Sequence, residues 1–109
     1  MPQPAGRPPL GRGYDEDLLP LVDRVLQKKR RKELIVLHTY GSHFEYRQRY
    51  PHSLAHFQPD DASEATPGNR ASLLNAYDNT IRATDQLLSR LIARLEAENT
   101  VSALLYTSD

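Results

Sequence analysis

The sequence contains no cysteine. That excludes a disulfide framework and every zinc site built on thiolates. No apolar run approaches the roughly 20 residues that cross a bilayer. The opening segment, Met1 to Gly13, has no hydrophobic stretch of the kind a secretory signal needs. No excess of one charge exists either: 14 Lys and Arg balance 14 Asp and Glu. That balance argues against bulk attraction to nucleic acid or to an anionic membrane surface. Also missing are a glycine-rich phosphate loop, a Gly-x-Ser-x-Gly elbow and a His-Glu-x-x-His helix. With 109 residues, the chain has room for one small domain and a modest core.

What is present falls into a clear order. Residues 1–13 hold four prolines and three glycines and read as an irregular lead. Tyr14 to Lys29 reads as a helix, with Leu18, Leu19, Val22, Val25 and Leu26 on one face. Asp15, Glu16 and Asp17 sit where negative charge suits the helix dipole, and Lys28 to Arg31 sit where positive charge does. Pro20 makes the first turn irregular or delays the start. Leu34 to Leu37 is a continuous apolar run expected as a strand buried on both faces. It leads into a Gly41-centred turn carrying His38 and His43 at either end. Phe44 to Gly68 reads as a long loop, and loops of that length are usually functional or mobile. Ser72 to Glu98 reads as a long helix with Leu73, Tyr77, Ile81, Thr84, Leu88, Leu91 and Leu95 as its apolar stripe. Ser102 to Tyr106 is a second apolar run, ending at Asp109.

Helix, strand, loop, helix, strand suggests an α/β fold in which a helix precedes a βαβ unit with parallel strands. Ligands of such sheets gather at the carboxyl ends of the strands. His43 and Asp109 lie there, and imidazole and carboxylate together suit zinc or a similar ion. Two candidate ligands fall short of the four a structural site requires, so a backbone-bonded loop histidine and a solvated aspartate stay open. His38 reads as an orienting neighbour rather than a ligand. His52 and His56 read as solvated. Arg47 and Arg49 interleave with Tyr46 and Tyr50, a pattern able to grip phosphate but too short for nucleic acid. Tyr77 to Thr80, inside the long helix, holds mediocre helix formers that could serve a bond, but the sequence favours an exposed polar face.

The ordered set of segments is more specific than any one of them. Leu34 to His43 (Leu-Ile-Val-Leu-His-Thr-Tyr-Gly-Ser-His), Arg49 to Pro51, Asn75 to Thr80, Asp85, and Leu105 to Asp109 (Leu-Tyr-Thr-Ser-Asp) follow one another. This series resembles the sulfatase-type catalytic domain of lipid A and lipopolysaccharide phosphoethanolamine transferases, within the alkaline phosphatase superfamily. The resemblance covers 14–109. It implies a partial sulfatase-type catalytic domain, an internal fragment of the full enzyme.

In that family a threonine nucleophile takes phosphoethanolamine from phosphatidylethanolamine and passes it to lipid A or core lipopolysaccharide. Zinc activates the nucleophile and stabilises the phosphoryl oxygens. Asp109 matches a zinc ligand of the family. His43 matches a histidine that binds phosphoethanolamine or a second zinc. Many members carry Gly-Pro after this turn, where this chain has Phe44-Glu45. No segment matches the threonine or the family's glutamate ligand, so no catalytic residue is assigned and the fragment is expected to be inactive alone. The parent enzymes sit in the bacterial inner membrane with a periplasmic catalytic domain. This chain has no signal or membrane segment and would stay in the cytosol as written. Two other readings are carried: a fragment of another sulfatase or phosphoglycerol transferase, and a non-enzymatic helical module using the Leu73 to Leu95 stripe.

Overall fold

A computed structural model describes residues 13–62 and 64–108. The irregular lead, apart from Gly13, and Asp109 lie outside the described residues. The chain enters through a 3-10 turn, Asp15–Leu18, and continues as helix α1, Leu19–Gln27. Pro20 falls in the first turn of α1, where its missing N–H costs nothing. This is why the regular helix starts five residues later than the apolar pattern alone suggests.

Short 3-10 turns at Tyr46–Arg49, His52–Leu54 and Pro67–Asn69 punctuate the long connection. Helix α2, Arg70–Glu98, then runs for 29 residues, about 43 Å. It forms most of the long axis of a particle of 54 × 36 × 25 Å. Asn99, at a φ of 54°, closes it in the left-handed conformation that asparagine tolerates.

The apolar core lies between the two helices. Leu19 and Val22 of α1 meet Leu87 and Leu91 of α2, and Leu26, Ile35 and Leu37 pack around them. Polar pairs fix the register along the edge: Glu16 with Arg90, Asp23 with Arg94 at 2.7 Å, and Lys29 with Glu98 at 3.1 Å. The residue numbers rise together, so α1 runs parallel to the second half of α2. Exposed pairs of this kind add little stability, but they define the alignment.

The two apolar runs form no β-ladder among the described residues, whose regular elements are all helical. A strand requires a hydrogen-bonded neighbour, and neither run finds one in the described residues. The run at 34–37 also differs from a strand buried on both faces. Ile35 and Leu37 pack on the core, while Leu34 and Val36 are 89% and 81% exposed. That alternation has the period of a half-covered strand. Residues 101–108 are exposed throughout, Val101 and Leu105 almost fully.

The buried face of α2 also differs from the hydrophobic stripe. Tyr77 and Ile81 are exposed, and the buried positions are Ser72, Ala76, Asn79, Thr80, Leu87 and Leu91. The first half of the helix packs against loop backbone, which needs small and polar partners. The second half packs against α1, which needs leucine. The expected exposed polar patch at Tyr77 to Thr80 is therefore half inverted: Tyr77 and Asp78 face out, and Asn79 and Thr80 are fully buried.

Candidate functional site

The turn between Tyr40 and His43 is held from several directions. The His43 N–H donates to the Tyr40 carbonyl at 3.1 Å, which closes the turn. Gly41 takes a φ of +57° within it. An added Cβ would meet nothing within 4 Å, so the need for glycine is conformational rather than spatial. Gly41→Ala is expected to cost roughly 1–2 kcal/mol from this backbone term alone. A denaturant titration against the unaltered chain measures it, and an equal or raised midpoint would contradict the assignment.

Asp15 reaches back across the fold to accept the Tyr40 and Gly41 N–H groups, each at 2.8 Å. Ser42 Oγ lies 2.7 Å from Thr80 Oγ1 on α2. Thr80 gives its own proton to the Tyr77 carbonyl at 2.6 Å, so Ser42 is the donor in that pair. Arg49 donates from Nε to the His43 carbonyl at 2.8 Å and from Nη2 to the Phe44 carbonyl at 3.1 Å. Its guanidinium also stacks 4.5 Å above the Tyr40 ring.

His43 itself is exposed. Its Nδ1 sits 2.7 Å from the Phe44 carbonyl. A carbonyl only accepts, so Nδ1 carries a proton, and the tautomer this selects is the one that leaves the lone pair on Nε2. This is the arrangement by which proteins prepare a histidine to ligate a metal or to accept a proton from a ligand.

Behind the turn lies a buried polar hub. Tyr50 is wholly buried and donates its hydroxyl to Asp60. The Asn79 amide Nδ2 lies 3.0 Å from the Phe57 carbonyl, 3.1 Å from the Tyr50 hydroxyl and 3.2 Å from Asp60 Oδ2. Asn79 Oδ1 accepts the Phe57 N–H at 2.9 Å. Arg47 Nε approaches Asp60 at 3.5 Å and its guanidinium covers the Tyr50 ring. Burial pushes the Tyr50 phenol up to about 12, and its hydrogen bond to the Asp60 carboxylate adds to the shift. Phe57 and Tyr50 are thereby fixed to α2.

His43 keeps an accessible position in the structure, whereas the shared crevice expected with Asp109 falls outside the described residues. His38 is exposed. His52 and His56 are exposed, in line with the solvated reading. Of the arginine and tyrosine series, Arg47 and Tyr50 join the hub and Arg49 holds the turn, while Tyr46 stacks edge-on with Phe44 and Tyr77. Among the described residues no group of three His, Cys, Asp or Glu is placed to hold a metal ion. Asp15 was legible only as a helix-start acid, and Arg49 only as part of a phosphate-gripping pattern; neither pointed to the turn it holds. The signal the sequence offered at this turn was Gly41 itself, a residue free to take positive φ.

The Sulfatase family profile matches residues 1–109. The chain belongs to the sulfatase family. This sulfatase-family chain is 35% identical over 108 residues to a Kdo(2)-lipid A phosphoethanolamine 7''-transferase of Escherichia coli K12, covering 95% of the chain and 19% of that relative. It is 36% identical over 99 residues to phosphoethanolamine transferase EptA of Helicobacter pylori, covering 88% and 19%. It is 34% identical over 101 residues to phosphoethanolamine transferase EptC of Escherichia coli K12, covering 90% and 17%. The sulfatase-family chain thus spans about a fifth or less of the length of these curated relatives. No solved structure matches it. No described helix is long and apolar enough to cross a membrane.

Proposed function

We propose that this chain supplies part of the catalytic domain of a zinc-dependent transferase, one that moves phosphoethanolamine from phosphatidylethanolamine to lipid A or core lipopolysaccharide. The observation that carries this reading is the prepared state of His43. Its backbone is clamped, its Nδ1 is bonded to the Phe44 carbonyl, and its side chain is exposed in the turn that follows an apolar run. The phosphoethanolamine transferases among the relatives support the substrate class.

In this reading residues 34–37 and 102–106 are neighbouring parallel strands of a sulfatase-type sheet, with α2 as the crossover between them. His43 and Asp109 then meet at the carboxyl ends, the usual place for ligands of such sheets. An imidazole and a carboxylate fit zinc as donors. Zinc, when bound, would supply positive charge to the phosphoryl oxygens. His43 contributes a neutral Nε2, either to the ion or to the ammonium of the ethanolamine group. Asp109 contributes a carboxylate to the ion. The transfer would take place at the inner membrane, in a periplasmic domain, and the chain would not turn over alone.

A zinc titration followed by the imidazole resonances of the four histidines tests the assignment. His43 is expected to respond first, and His43→Ala to weaken binding at least about ten-fold. Asp109→Ala is expected to weaken it as well. Equal responses from His38, His43, His52 and His56 would overturn the reading. Transfer from labelled phosphatidylethanolamine to lipid A by the chain alone would overturn the expected inactivity.

A further inference from the structure

Three consecutive acids open the fold, and each has a different partner. Asp17 Oδ2 accepts the Tyr14 N–H at 2.9 Å and caps its own turn. Glu16 accepts from Gln86 at 2.8 Å and pairs with Arg90, which docks the turn on α2. Asp15 does neither. Its two oxygens take the N–H groups of two successive residues, 25 and 26 positions away.

Successive N–H groups pointing to one side form a concavity that binds anions. Here the anion is the Asp15 side chain. Charge-assisted bonds at this distance are roughly twice as strong as neutral ones. The clamped pair, Tyr40 and Gly41, is the first half of the turn whose last residue is His43. Fixing those two peptide planes fixes the direction in which residue 43 leaves the turn. Arg49 then holds the carbonyls of His43 and Phe44, one of which accepts the imidazole proton. Asp15 therefore governs one end of the turn and Arg49 the other. The helix-dipole role suggested by its place in the sequence is secondary.

We propose that Asp15 is a positioning residue for His43, holding the turn so that Nε2 faces the ligand. The proposal rests on the reading that His43 meets zinc or phosphoethanolamine, and it adds the residue that aims it. A bidentate carboxylate is needed because both N–H groups must be accepted at once. Asp15→Asn keeps the shape but offers one acceptor oxygen and an NH2 group that can only donate.

Two site-specific readouts on the full chain test this. The first is hydrogen exchange at the Tyr40 and Gly41 amides. Both lie in a loop and are expected to exchange slowly because of Asp15. In Asp15→Asn they should exchange at least about ten-fold faster. The second is the long-range proton–nitrogen spectrum of the His43 ring, which reads which nitrogen carries the proton. The unaltered chain should show the proton on Nδ1, and Asp15→Asn should show a mixture. Asp17→Asn, which removes only the local cap, should leave both readouts unchanged.

Unaltered exchange at Tyr40 and Gly41 in Asp15→Asn would overturn the proposal. So would global unfolding of Asp15→Asn while Asp17→Asn stays folded, since Asp15 would then be a structural residue only. Zinc binding separates the two levels. If His43 of the unaltered chain takes up no zinc and no phosphoethanolamine, the functional reading fails, and exchange and tautomer still decide the role of Asp15.

Discussion

Replacing Asn79 by leucine is expected to destabilise the chain by about 3–5 kcal/mol, despite the near match in side-chain volume. Asn79 is fully buried and joins three separate pieces of chain. Its oxygen accepts the Phe57 N–H, and its nitrogen reaches the Phe57 carbonyl, the Tyr50 hydroxyl and Asp60. Leucine strands the Phe57 N–H and carbonyl without partners and removes a donor from a buried carboxylate. Each orphaned group costs about 1–3 kcal/mol, more when it is charged. Against a total stability of about 5–15 kcal/mol for an ordinary domain, such a loss is large. Urea titrations of the unaltered chain, Asn79→Leu and Asn79→Ala separate packing from polarity. Leucine should be nearly as harmful as alanine, because the harm lies in the unmet hydrogen bonds. If leucine costs less than about 1 kcal/mol, the hub is not the linchpin described here.

The second large effect concerns alkaline pH. The folded chain raises the Tyr50 phenol from 10.0 to about 12. A raised value means the folded state holds its proton more tightly than the unfolded state does. The resulting stabilisation is fully present below pH 10 and is lost as pH rises through about 12. A two-unit separation corresponds to on the order of 2–3 kcal/mol. Part of that figure is the repulsion between a Tyr50 phenolate and the neighbouring Asp60 carboxylate. Stability measured between pH 9 and 12.5, roughly the window that linkage defines, should fall more steeply than in Tyr50→Phe. That variant starts lower, since Asp60 loses a donor, but its alkaline limb should be shallower. Parallel limbs in the two proteins would mean that Tyr50 does not carry the effect.

The parts of the fold legible in the sequence are those governed by hydrophobic period and by breakers. Both helices follow from leucine spacing, and Pro20 and Asn99 mark where α1 is delayed and α2 stops. Asn79 and Thr80 were expected outside because two polar residues on a helix usually face solvent. Their neighbours are backbone groups of the loop, and such groups select amide and hydroxyl partners over leucine. Asp15 was misplaced for a related reason. Three acids before a helix look alike in sequence, and only the tertiary fold gives each its own task. His43 was reached first from its place after an apolar run expected as a strand, and again through the resemblance of its surrounding segments. The state of its ring could not be, since that depends on the Phe44 carbonyl. Pairing of the two apolar runs was a statement about partners, and the described residues contain no such pairing.

The ion pairs between α1 and α2 contain one further message. On the α1 side the order is acid, acid, base, at Glu16, Asp23 and Lys29; on the α2 side it is base, base, acid, at Arg90, Arg94 and Glu98. The polarity reverses at the last rung. Sliding α2 by one helical turn in one direction sets Glu98 against Asp23, and in the other it sets Arg94 against Lys29. Both errors juxtapose like charges, so the ladder works as a key that fits in a single position.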